Sequence, residues 1–210
     1  MNSASSSPVA LSAIQTARKV VLLVAVLLAI GLIVVADSRW PGGHPVHETI
    51  EWVGIACIVF AIVGRTWCSL YIGGRKTRTL VAIGPYSVCR NPLYVFSIIG
   101  GVGVGAQLGS FMVAAVGGVL AWFVFFVVAL KEEEALTAAF GESYRRYVER
   151  VPRFLPRWRL WRDVETLEIR PRAVLMTFVD ACVFLVAIPI TEVCEFLHDI
   201  GALPVLFRLP

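Results

Sequence analysis

The chain has 210 residues and a formal net charge of +4, with 58% hydrophobic and only 16% charged residues. A soluble domain is about half apolar and about a quarter charged, so this composition excludes a water-soluble domain with a single core. The apolar content also excludes an intrinsically disordered chain, and five cysteines without paired spacings exclude a disulfide-stabilised scaffold. We therefore predict a polytopic membrane protein.

Membrane-spanning helices are predicted from apolar runs, because a bilayer core of about 30 Å requires about 20 mostly apolar residues in a helix. Five segments meet this requirement, at residues 20–36, 50–65, 93–108, 111–130 and 173–190. The first is longer than the apolar part of a signal peptide, so we expect it to remain as an anchor. Only Gly109 and Ser110 separate the third from the fourth, which predicts a tight antiparallel helical hairpin. The predicted fold is all-α, with five transmembrane helices in a single membrane domain over residues 1–210.

The basic residues are distributed unevenly between the two sides of the predicted membrane domain. Seventeen of the 19 Lys and Arg residues precede the first span or belong to the polar stretches around residues 66–92 and 131–172, whereas Arg39 and Arg208 fall on the other side. Cytoplasmic loops are enriched in Lys and Arg. We therefore predict a cytoplasmic N-terminus, an external C-terminus and two cytoplasmic segments large enough to form a site.

The histidine and cysteine spacings do not indicate a metal centre. His44, His47 and His198 all fall on the predicted external side, and the cysteines form no CxxC pair, so no metal ligand set is expected. The sequence also lacks a phosphate-binding loop and a Gly-x-Ser-x-Gly turn. We predict neither a metal-dependent enzyme nor a serine hydrolase.

Glycines in the third span have the spacing of a helix-packing face. A dinucleotide-binding turn requires a strand that leads into a soluble helix, whereas Gly101, Gly105 and Gly109 recur every four residues in an apolar segment. Small residues at this spacing let a neighbouring helix approach closely. We therefore interpret them as a packing surface.

Two further features have competing interpretations. Asp180 interrupts the fifth span, where an acidic residue costs about 2.5–3.5 kcal/mol on insertion scales, so it either handles substrate or protons or binds a neighbouring helix.

Trp158 and Trp161 alternate with arginines beyond the fourth span. This composition fits anionic headgroups at the membrane interface better than nucleic acid, so membrane lipids are the expected partners and nucleic acid is not.

The two polar segments carry the strongest functional pattern. In the first, Gly-Pro and Asn-Pro dipeptides on both sides of Arg90 predict a rigidly turned loop before the third span. In the second, three glutamates at residues 132–134 are followed by apolar residues every three or four positions to Val151, which predicts one helix continuing past the membrane. The hairpin brings the glutamates near Arg90, where they could bind a zwitterionic ligand with a cationic centre.

These segments resemble the membrane methyltransferase family that includes isoprenylcysteine carboxyl methyltransferases and phospholipid N-methyltransferases. The family pattern Gly-Pro-Tyr-x-x-x-Arg-His-Pro-x-Tyr is matched here by Gly84, Pro85, Tyr86, Arg90, Pro92 and Tyr94. The family pattern after the hairpin is matched by Glu132, Glu133, Leu136, Phe140, Gly141, Tyr144, Tyr147, Val151, Pro152, Arg153 and Pro156. Asn91 stands where the family has histidine, and Ser143 stands where it has glutamate. These departures affect the prediction of the substrate's identity more than the prediction of the cofactor's identity.

The resemblance implies a cytoplasmic pocket for S-adenosylmethionine (SAM), and methyl transfer to a lipophilic small molecule, a lipid or a prenylated acceptor that enters from the bilayer. Such a displacement requires alignment of the reacting groups and no metal. The cofactor-binding residues that the resemblance implies are Tyr86, Arg90, Asn91, Pro92, Tyr94, Glu132, Glu133 and Tyr144. The residues expected to act in catalysis are Glu133, Tyr147 and Arg153, of which Arg153 would orient an anionic substrate group.

Several functional alternatives stay open. A phospholipid N-methyltransferase would use the same cofactor on an amine acceptor. Membrane sterol reductases have a similar Arg-His-Pro-x-Tyr loop, so an NADPH-dependent reductase is a second class, although three adjacent acids suit a cationic ligand better than the phosphates of NADPH. A non-catalytic membrane protein with the same fold is a third class, because Asn91 and Ser143 depart from the family pattern.

Overall fold

The computed structural model describes residue 31 and residues 34–72 and 79–210. Most of the first predicted span, residues 20–36, lies outside the described residues, as do Arg75, Lys76 and Arg78 of the first polar segment. The described α-helices are α1 (Pro45–Ile72), α2 (Pro85–Val88), α3 (Pro92–Ala106), α4 (Phe111–Phe140), α5 (Glu142–Arg150), α6 (Pro171–Ala181) and α7 (Ala187–Asp199). The remaining described elements are two 3₁₀ helices (Trp158–Leu160 and Cys182–Val186) and two strands, β1 (Ala36–Ser38) and β2 (Phe207–Leu209).

Three described helical segments are long and apolar enough to cross a membrane. They are α1, α4 and the run Pro171–Asp199, in which a 3₁₀ turn joins α6 to α7. The apolar helix α3 is shorter, with 15 residues. Large apolar side chains such as Trp52, Phe60 and Phe123 are exposed on the outside of the bundle, as expected for a surface that contacts lipid. The described residues thus contain three such segments and one shorter helix, compared with five spans predicted over the whole chain.

The predicted tight hairpin is formed by α3 and α4. Gly109 turns the chain with a φ of 59°, a conformation that glycine adopts at little cost. The Ser110 hydroxyl then accepts a hydrogen bond of 3.3 Å from the Val113 amide and caps the start of α4.

The glycines of α3 allow the two helices of the hairpin to touch. A Cβ atom on Gly105 would overlap the Val113 carbonyl of α4, and one on Gly101 would lie 2.6 Å from the Ala121 Cβ. Neither position has room for a larger side chain, which confirms the interpretation of these two glycines as a packing surface.

Helix α1 extends the second predicted span, residues 50–65, at both ends and places Arg65 inside the bundle. The Arg65 Nη2 atom lies 3.1 Å from Asp180 Oδ2 of α6, and Arg65 Nη1 donates to the Ser97 hydroxyl of α3. An acidic side chain in a span is expected to have such a partner. Of the two interpretations of Asp180, this contact favours binding to a neighbouring helix.

The C-terminal part differs from the prediction in two respects. The predicted fifth span, residues 173–190, is a longer run that includes the 3₁₀ turn and ends at Asp199. Strands β1 and β2 then pair in parallel, with Ala36 opposite Phe207 and Ser38 opposite Leu209. Among the described residues, this short ribbon is the departure from a purely α-helical fold.

The single helix predicted beyond the fourth span is wrong at Gly141. Helix α4 ends at Phe140, Gly141 has a φ of 52°, and α5 begins at the next residue. Glycine adopts a positive φ at little cost, and this residue ends α4 and redirects the chain. The redirected helix α5 buries Tyr144 and Tyr147.

Candidate functional site

The loop before α3 is held by a small hydrogen-bond network. Gly84 has a φ of 55°, and a Cβ atom there would overlap the ring of Tyr71. The Gly84 amide donates to the Arg162 carbonyl at 2.6 Å. The buried Ser87 hydroxyl donates to the Gly84 carbonyl at 2.6 Å and accepts from the Arg162 amide at 3.0 Å. Buried polar groups that are paired in this way specify one loop geometry.

Backbone hydrogen bonds join this loop to the segment after α5. The Arg90 amide donates to the Pro152 carbonyl at 2.9 Å, and the Asn91 amide donates to the Arg153 carbonyl at 3.2 Å. The Asn91 side-chain amide also donates to the Arg153 carbonyl, at 3.4 Å. The two polar segments of the sequence are therefore in direct contact.

Cys89 strengthens the same junction. Its buried thiol donates to the carbonyl groups of Arg153 and Phe154, at Sγ–O distances of 3.4 and 3.2 Å. Burial raises the pKa of Cys89 to about 11. The thiol is consequently protonated at neutral pH and acts as a hydrogen-bond donor rather than as a nucleophile.

Glu133 is the centre of an ionic cluster, which we call the Glu133 clamp and which consists of Glu133, Arg90, Asn91 and Arg153. Arg153 binds both carboxylate oxygens, with Nε–Oε1 and Nη2–Oε2 distances of 2.9 Å. Arg90 Nη1 lies 3.0 Å from Oε2, and Asn91 Nδ2 lies 3.3 Å from Oε1. The hydrogen bonds that Arg153 donates to the Glu133 carboxylate raise the pKa of Arg153, so its guanidinium keeps its charge.

A cavity opens beside the clamp, between the loop, α3, α4 and α5. The space between its lining residues amounts to about 680 Å³, a figure that includes open solvent. The lining residues are Ile72, Thr79, Leu80, Val81, Tyr86, Arg90, Asn91, Leu93, Tyr94, Glu132, Leu136, Phe140, Tyr144 and Tyr147.

Seven of the ten residues that the resemblance implies line this cavity, namely Tyr86, Arg90, Asn91, Tyr94, Glu132, Tyr144 and Tyr147. Pro92 is not a lining residue and forms the first residue of α3. Glu133 is not a lining residue either, but it binds Arg90 and Asn91, which are. Arg153 contacts the cavity wall through Glu133.

Tyrosine side chains form one polar part of the wall. The Tyr147 hydroxyl donates to the Tyr86 carbonyl at 2.7 Å, which ties α5 to the loop. Burial raises the pKa of Tyr144 to about 12 and raises the pKa values of Tyr86 and Tyr147 well above their ordinary range. All three side chains are therefore neutral phenols at physiological pH, able to donate hydrogen bonds.

Two buried polar atoms at the cavity have no hydrogen-bond partner among the described residues. They are the Tyr86 hydroxyl and Arg90 Nε. Buried polar atoms of folded proteins are paired in the large majority of cases. Their position in the wall of a cavity fits donors that a bound ligand would use.

The apolar residues of the cavity wall were not predicted from the sequence as part of the ligand site. Leu80 and Val81 follow Thr79, the first described residue after residues 73–78, while Leu136 and Phe140 lie on the last turns of α4. Leu136 and Phe140 belong to the family pattern, but an apolar residue that lines a ligand site has the same sequence pattern as one that packs in a core.

Comparisons with known proteins show which proteins this chain resembles. A family model described as phospholipid methyltransferase matches residues 50–143. The chain is 36% identical to the cobalt-zinc-cadmium resistance protein CzcN of Cupriavidus metallidurans over 86% of its own length and 82% of that protein. It is 32% identical to the nickel-cobalt-cadmium resistance protein NccN of Alcaligenes xylosoxydans xylosoxydans over 85% and 83% of the two chains. It is also 36% identical to the protein-S-isoprenylcysteine O-methyltransferase of Rattus norvegicus, over 53% of this chain and 44% of that enzyme. No solved structure matches.

The chain belongs to the phospholipid and isoprenylcysteine methyltransferase-like family of membrane proteins. Its apolar helices and its membership of this family make it an integral membrane protein. Within the family pattern, Asn91 retains a hydrogen-bonding side chain at the usual histidine position and uses it to bind Glu133.

Proposed function

We propose that this family member is a SAM-dependent methyltransferase that acts on a lipophilic acceptor at the membrane. The observation that carries the proposal is a single cavity at which both parts of the family pattern meet. Its wall combines a carboxylate, a guanidinium and neutral phenols, and two of its buried polar atoms lack a partner among the described residues.

The side chains that line the cavity suit the charged and aromatic groups of SAM. Glu132 supplies a carboxylate for the positively charged groups of the cofactor, and Arg90 supplies N–H groups for its carboxylate. Leu80, Leu136 and Phe140 offer an apolar surface for a flat ring. When bound, the cofactor supplies an electrophilic methyl group.

In the proposed reaction, the protein would align the acceptor with the methyl group of the cofactor. Methyl transfer by displacement gains rate mainly from holding the nucleophile, the methyl group and the leaving group in line. Glu133 holds two arginines and Asn91 in fixed positions, so we assign Glu133 as a positioning residue. The Cys89 thiol and the phenols of Tyr144 and Tyr147 stay protonated, which favours acceptors whose nucleophilic atom needs no deprotonation.

The surroundings of Arg153 indicate where the acceptor would bind. The Arg153 guanidinium lies 5.5 Å from the centroid of the Phe126 ring, and Phe126 stacks on Trp122 at 5.2 Å. Trp122 is exposed on α4, a helix long enough to cross the membrane. A lipophilic acceptor with an anionic end would place its apolar part along these rings and its charge near Arg153.

Cofactor binding is tested with a matched pair of variants in the acidic triplet. Glu132 lines the cavity, whereas Glu134 is exposed and pairs with Lys131 at 3.2 Å. Glu132→Gln should weaken the binding of S-adenosylhomocysteine at least tenfold in calorimetry, and Glu134→Gln should leave it unchanged. Equal affinities of the two variants would contradict the proposed cofactor site.

The acceptor is tested with methyl-labelled SAM. Incubation of the purified protein with membrane lipid extracts and with a prenylated cysteine should transfer label to one of these fractions. Label on a phospholipid amine would identify a phospholipid N-methyltransferase. S-adenosylhomocysteine binding without transfer to any fraction would support a non-catalytic protein, and binding of NADPH instead would support a reductase.

A role in tolerance to transition metals is a second candidate. The supporting observation is that similarity to the resistance proteins CzcN and NccN extends over more than four fifths of this chain, whereas similarity to the rat methyltransferase covers 53%. Disruption of the gene in its host should lower growth in cobalt, zinc or cadmium salts. Unchanged tolerance to all three metals would remove this candidate.

A further inference from the structure

A second cluster of polar side chains lies at the opposite end of α1 from the cofactor cavity. His47 is in the first turn of α1, while Tyr71 in its last turn packs against Tyr86. Tyr71 is 24 positions after His47, which corresponds to about 36 Å at 1.5 Å per residue. The cluster consists of His47 and Glu51 of α1 and Glu195 of α7.

The tautomer of His47 follows from its surroundings. The ring is buried, and its Nδ1 atom lies 2.9 Å from the Trp40 carbonyl oxygen. A carbonyl accepts hydrogen bonds but cannot donate one, so Nδ1 carries a hydrogen. In the neutral ring, Nε2 then has a free lone pair.

The Nε2 lone pair faces the carboxylate groups of Glu51 and Glu195. Nε2 lies 3.3 Å from Glu51 Oε1 and 3.5 Å from Glu195 Oε1. Glu195 Oε1 is shielded from solvent and accepts no hydrogen bond from the described residues. A bare Nε2 lone pair would be repelled by two ionised carboxylate oxygens, so either a proton or a metal cation lies between these three atoms.

The local charge favours a divalent cation over a single proton. When both carboxylates are ionised and the imidazole is neutral, the cluster carries a charge of −2, which a divalent ion neutralises and a single proton reduces only to −1. Glu48 and Glu192 lie near enough to act electrostatically on Glu51. No Lys or Arg within residues 34–72 or 79–210 forms an ion pair with Glu51 or Glu195.

The distances also fit a coordination sphere. Zinc is bound by His nitrogen and carboxylate oxygen at about 2.0–2.2 Å, which places neighbouring ligand atoms of a tetrahedron roughly 3.3–3.6 Å apart. The two distances from Nε2 fall in this range, and all three candidate ligand atoms lie within 4.8 Å of one another.

The ring of His47 is fixed in place by groups outside the cluster. The Trp40 carbonyl holds Nδ1, the usual arrangement for a histidine that binds a metal through its other nitrogen. Gly109 lies against the ring, and a Cβ atom there would overlap it. The glycine at the turn of the hairpin therefore makes room for the imidazole.

We propose that His47, Glu51 and Glu195 bind one divalent transition-metal ion of the zinc and cobalt type, with a fourth position open to water. One nitrogen and two carboxylate oxygens with an open position form a ligand set that such ions accept. The site joins the start of α1 to α7. It is separate from the cofactor cavity, so it stands or falls independently of the proposed methyltransferase activity. It also differs from the expectation, drawn from sequence spacing, that no metal ligand set assembles.

The test uses the full-length protein in detergent with an affinity tag that contains no histidine. After treatment with EDTA, the protein is titrated with Co²⁺, whose visible absorption reports coordination by four ligands. We expect one Co²⁺ per chain, with intense tetrahedral bands that Zn²⁺ abolishes on displacement. Glu195→Gln, which keeps the shape of the side chain, should weaken Co²⁺ binding at least tenfold, and Glu51→Gln should do the same.

Two variants serve as controls. Glu192→Gln and Glu48→Gln change exposed acidic residues on the same two helices, and each should weaken Co²⁺ binding far less than Glu195→Gln does, because neither is a candidate ligand. A single symmetrical peak in gel filtration establishes that each variant is folded. Absence of the tetrahedral bands from the folded, unmodified protein would overturn the proposal. Equal weakening by Glu192→Gln and Glu195→Gln would also overturn it, because the effect would then come from general negative charge.

Discussion

Glu133 binds Arg153 through both carboxylate oxygens, at 2.9 Å each, and so links helix α4 to the segment that follows α5. The same carboxylate binds Arg90 at 3.0 Å. The side chains of Glu133 and Arg90 are only 12% and 10% exposed. Glu133 therefore holds together the two parts of the family pattern, which are far apart in the sequence.

Removal of the Glu133 charge should destabilise the protein. Glu133→Gln leaves two arginines without their shared carboxylate, and breaking a buried ion pair costs on the order of 3–5 kcal/mol. Thermal unfolding in detergent should show a large decrease in Tm. Glu134→Gln removes an exposed ion pair with Lys131, which contributes at most about 1 kcal/mol, and should leave Tm nearly unchanged. Similar Tm values for the two variants would contradict a stabilising role of the Glu133 clamp.

Tyr86→Phe should have opposite effects on stability and on ligand binding. The Tyr86 hydroxyl is buried and has no hydrogen-bond partner among the described residues, and such a group costs about 1–3 kcal/mol. Its removal should leave the Tm of the ligand-free protein unchanged or higher. The same substitution should weaken S-adenosylhomocysteine binding, because the hydroxyl would donate to the ligand. A lower Tm without ligand, together with unchanged affinity, would show that the hydroxyl has a structural role.

Alkylation of Cys89 should be slow at neutral pH and increase up to about pH 11. Burial raises the pKa of this thiol to about 11, so at lower pH the reactive thiolate is a small fraction that grows about tenfold per pH unit. Mass spectrometry of the Cys89 peptide after brief exposure to iodoacetamide measures the rate, and circular dichroism checks that the protein remains folded. A rate that levels off near pH 9, as for an ordinary thiol, would contradict the described environment.

Gly105→Ala should weaken the hairpin. The added methyl group would overlap the Val113 carbonyl of α4, and forcing extra atoms into a packed contact costs about 1–3 kcal/mol. Gly42→Ala is the control, since a Cβ atom there would meet nothing within 4 Å. We expect a lower Tm for the first variant only. Equal Tm values would show that the α3–α4 contact is looser than described.

The sequence was sufficient to predict features that depend on neighbouring residues. A two-residue connection between apolar runs predicted the α3–α4 hairpin, and the hairpin in turn predicted that the glutamates of residues 132–134 lie near Arg90. The structure places Arg90 Nη1 3.0 Å from Glu133 Oε2. The break at Gly141 was missed, because the apolar periodicity continues across it while the backbone does not.

Contacts between distant parts of the chain could not be predicted in this way. Arg65 is the last residue of the second predicted span, and nothing in the sequence paired it with Asp180 of α6. Similarly, His47 and Glu51 are one helical turn apart, but Glu195 comes from the other end of the chain. These pairings depend on how the helices pack, which spacing along one helix does not determine.

Calorimetric titration of the purified full-length protein with S-adenosylhomocysteine, and in parallel with NADPH, tests most directly whether the cavity beside the Glu133 clamp is a methyltransferase cofactor site. We predict saturable binding of one S-adenosylhomocysteine per chain and no binding of NADPH. Binding of NADPH alone, or of neither ligand to a protein that gel filtration shows to be folded, would contradict the proposed function.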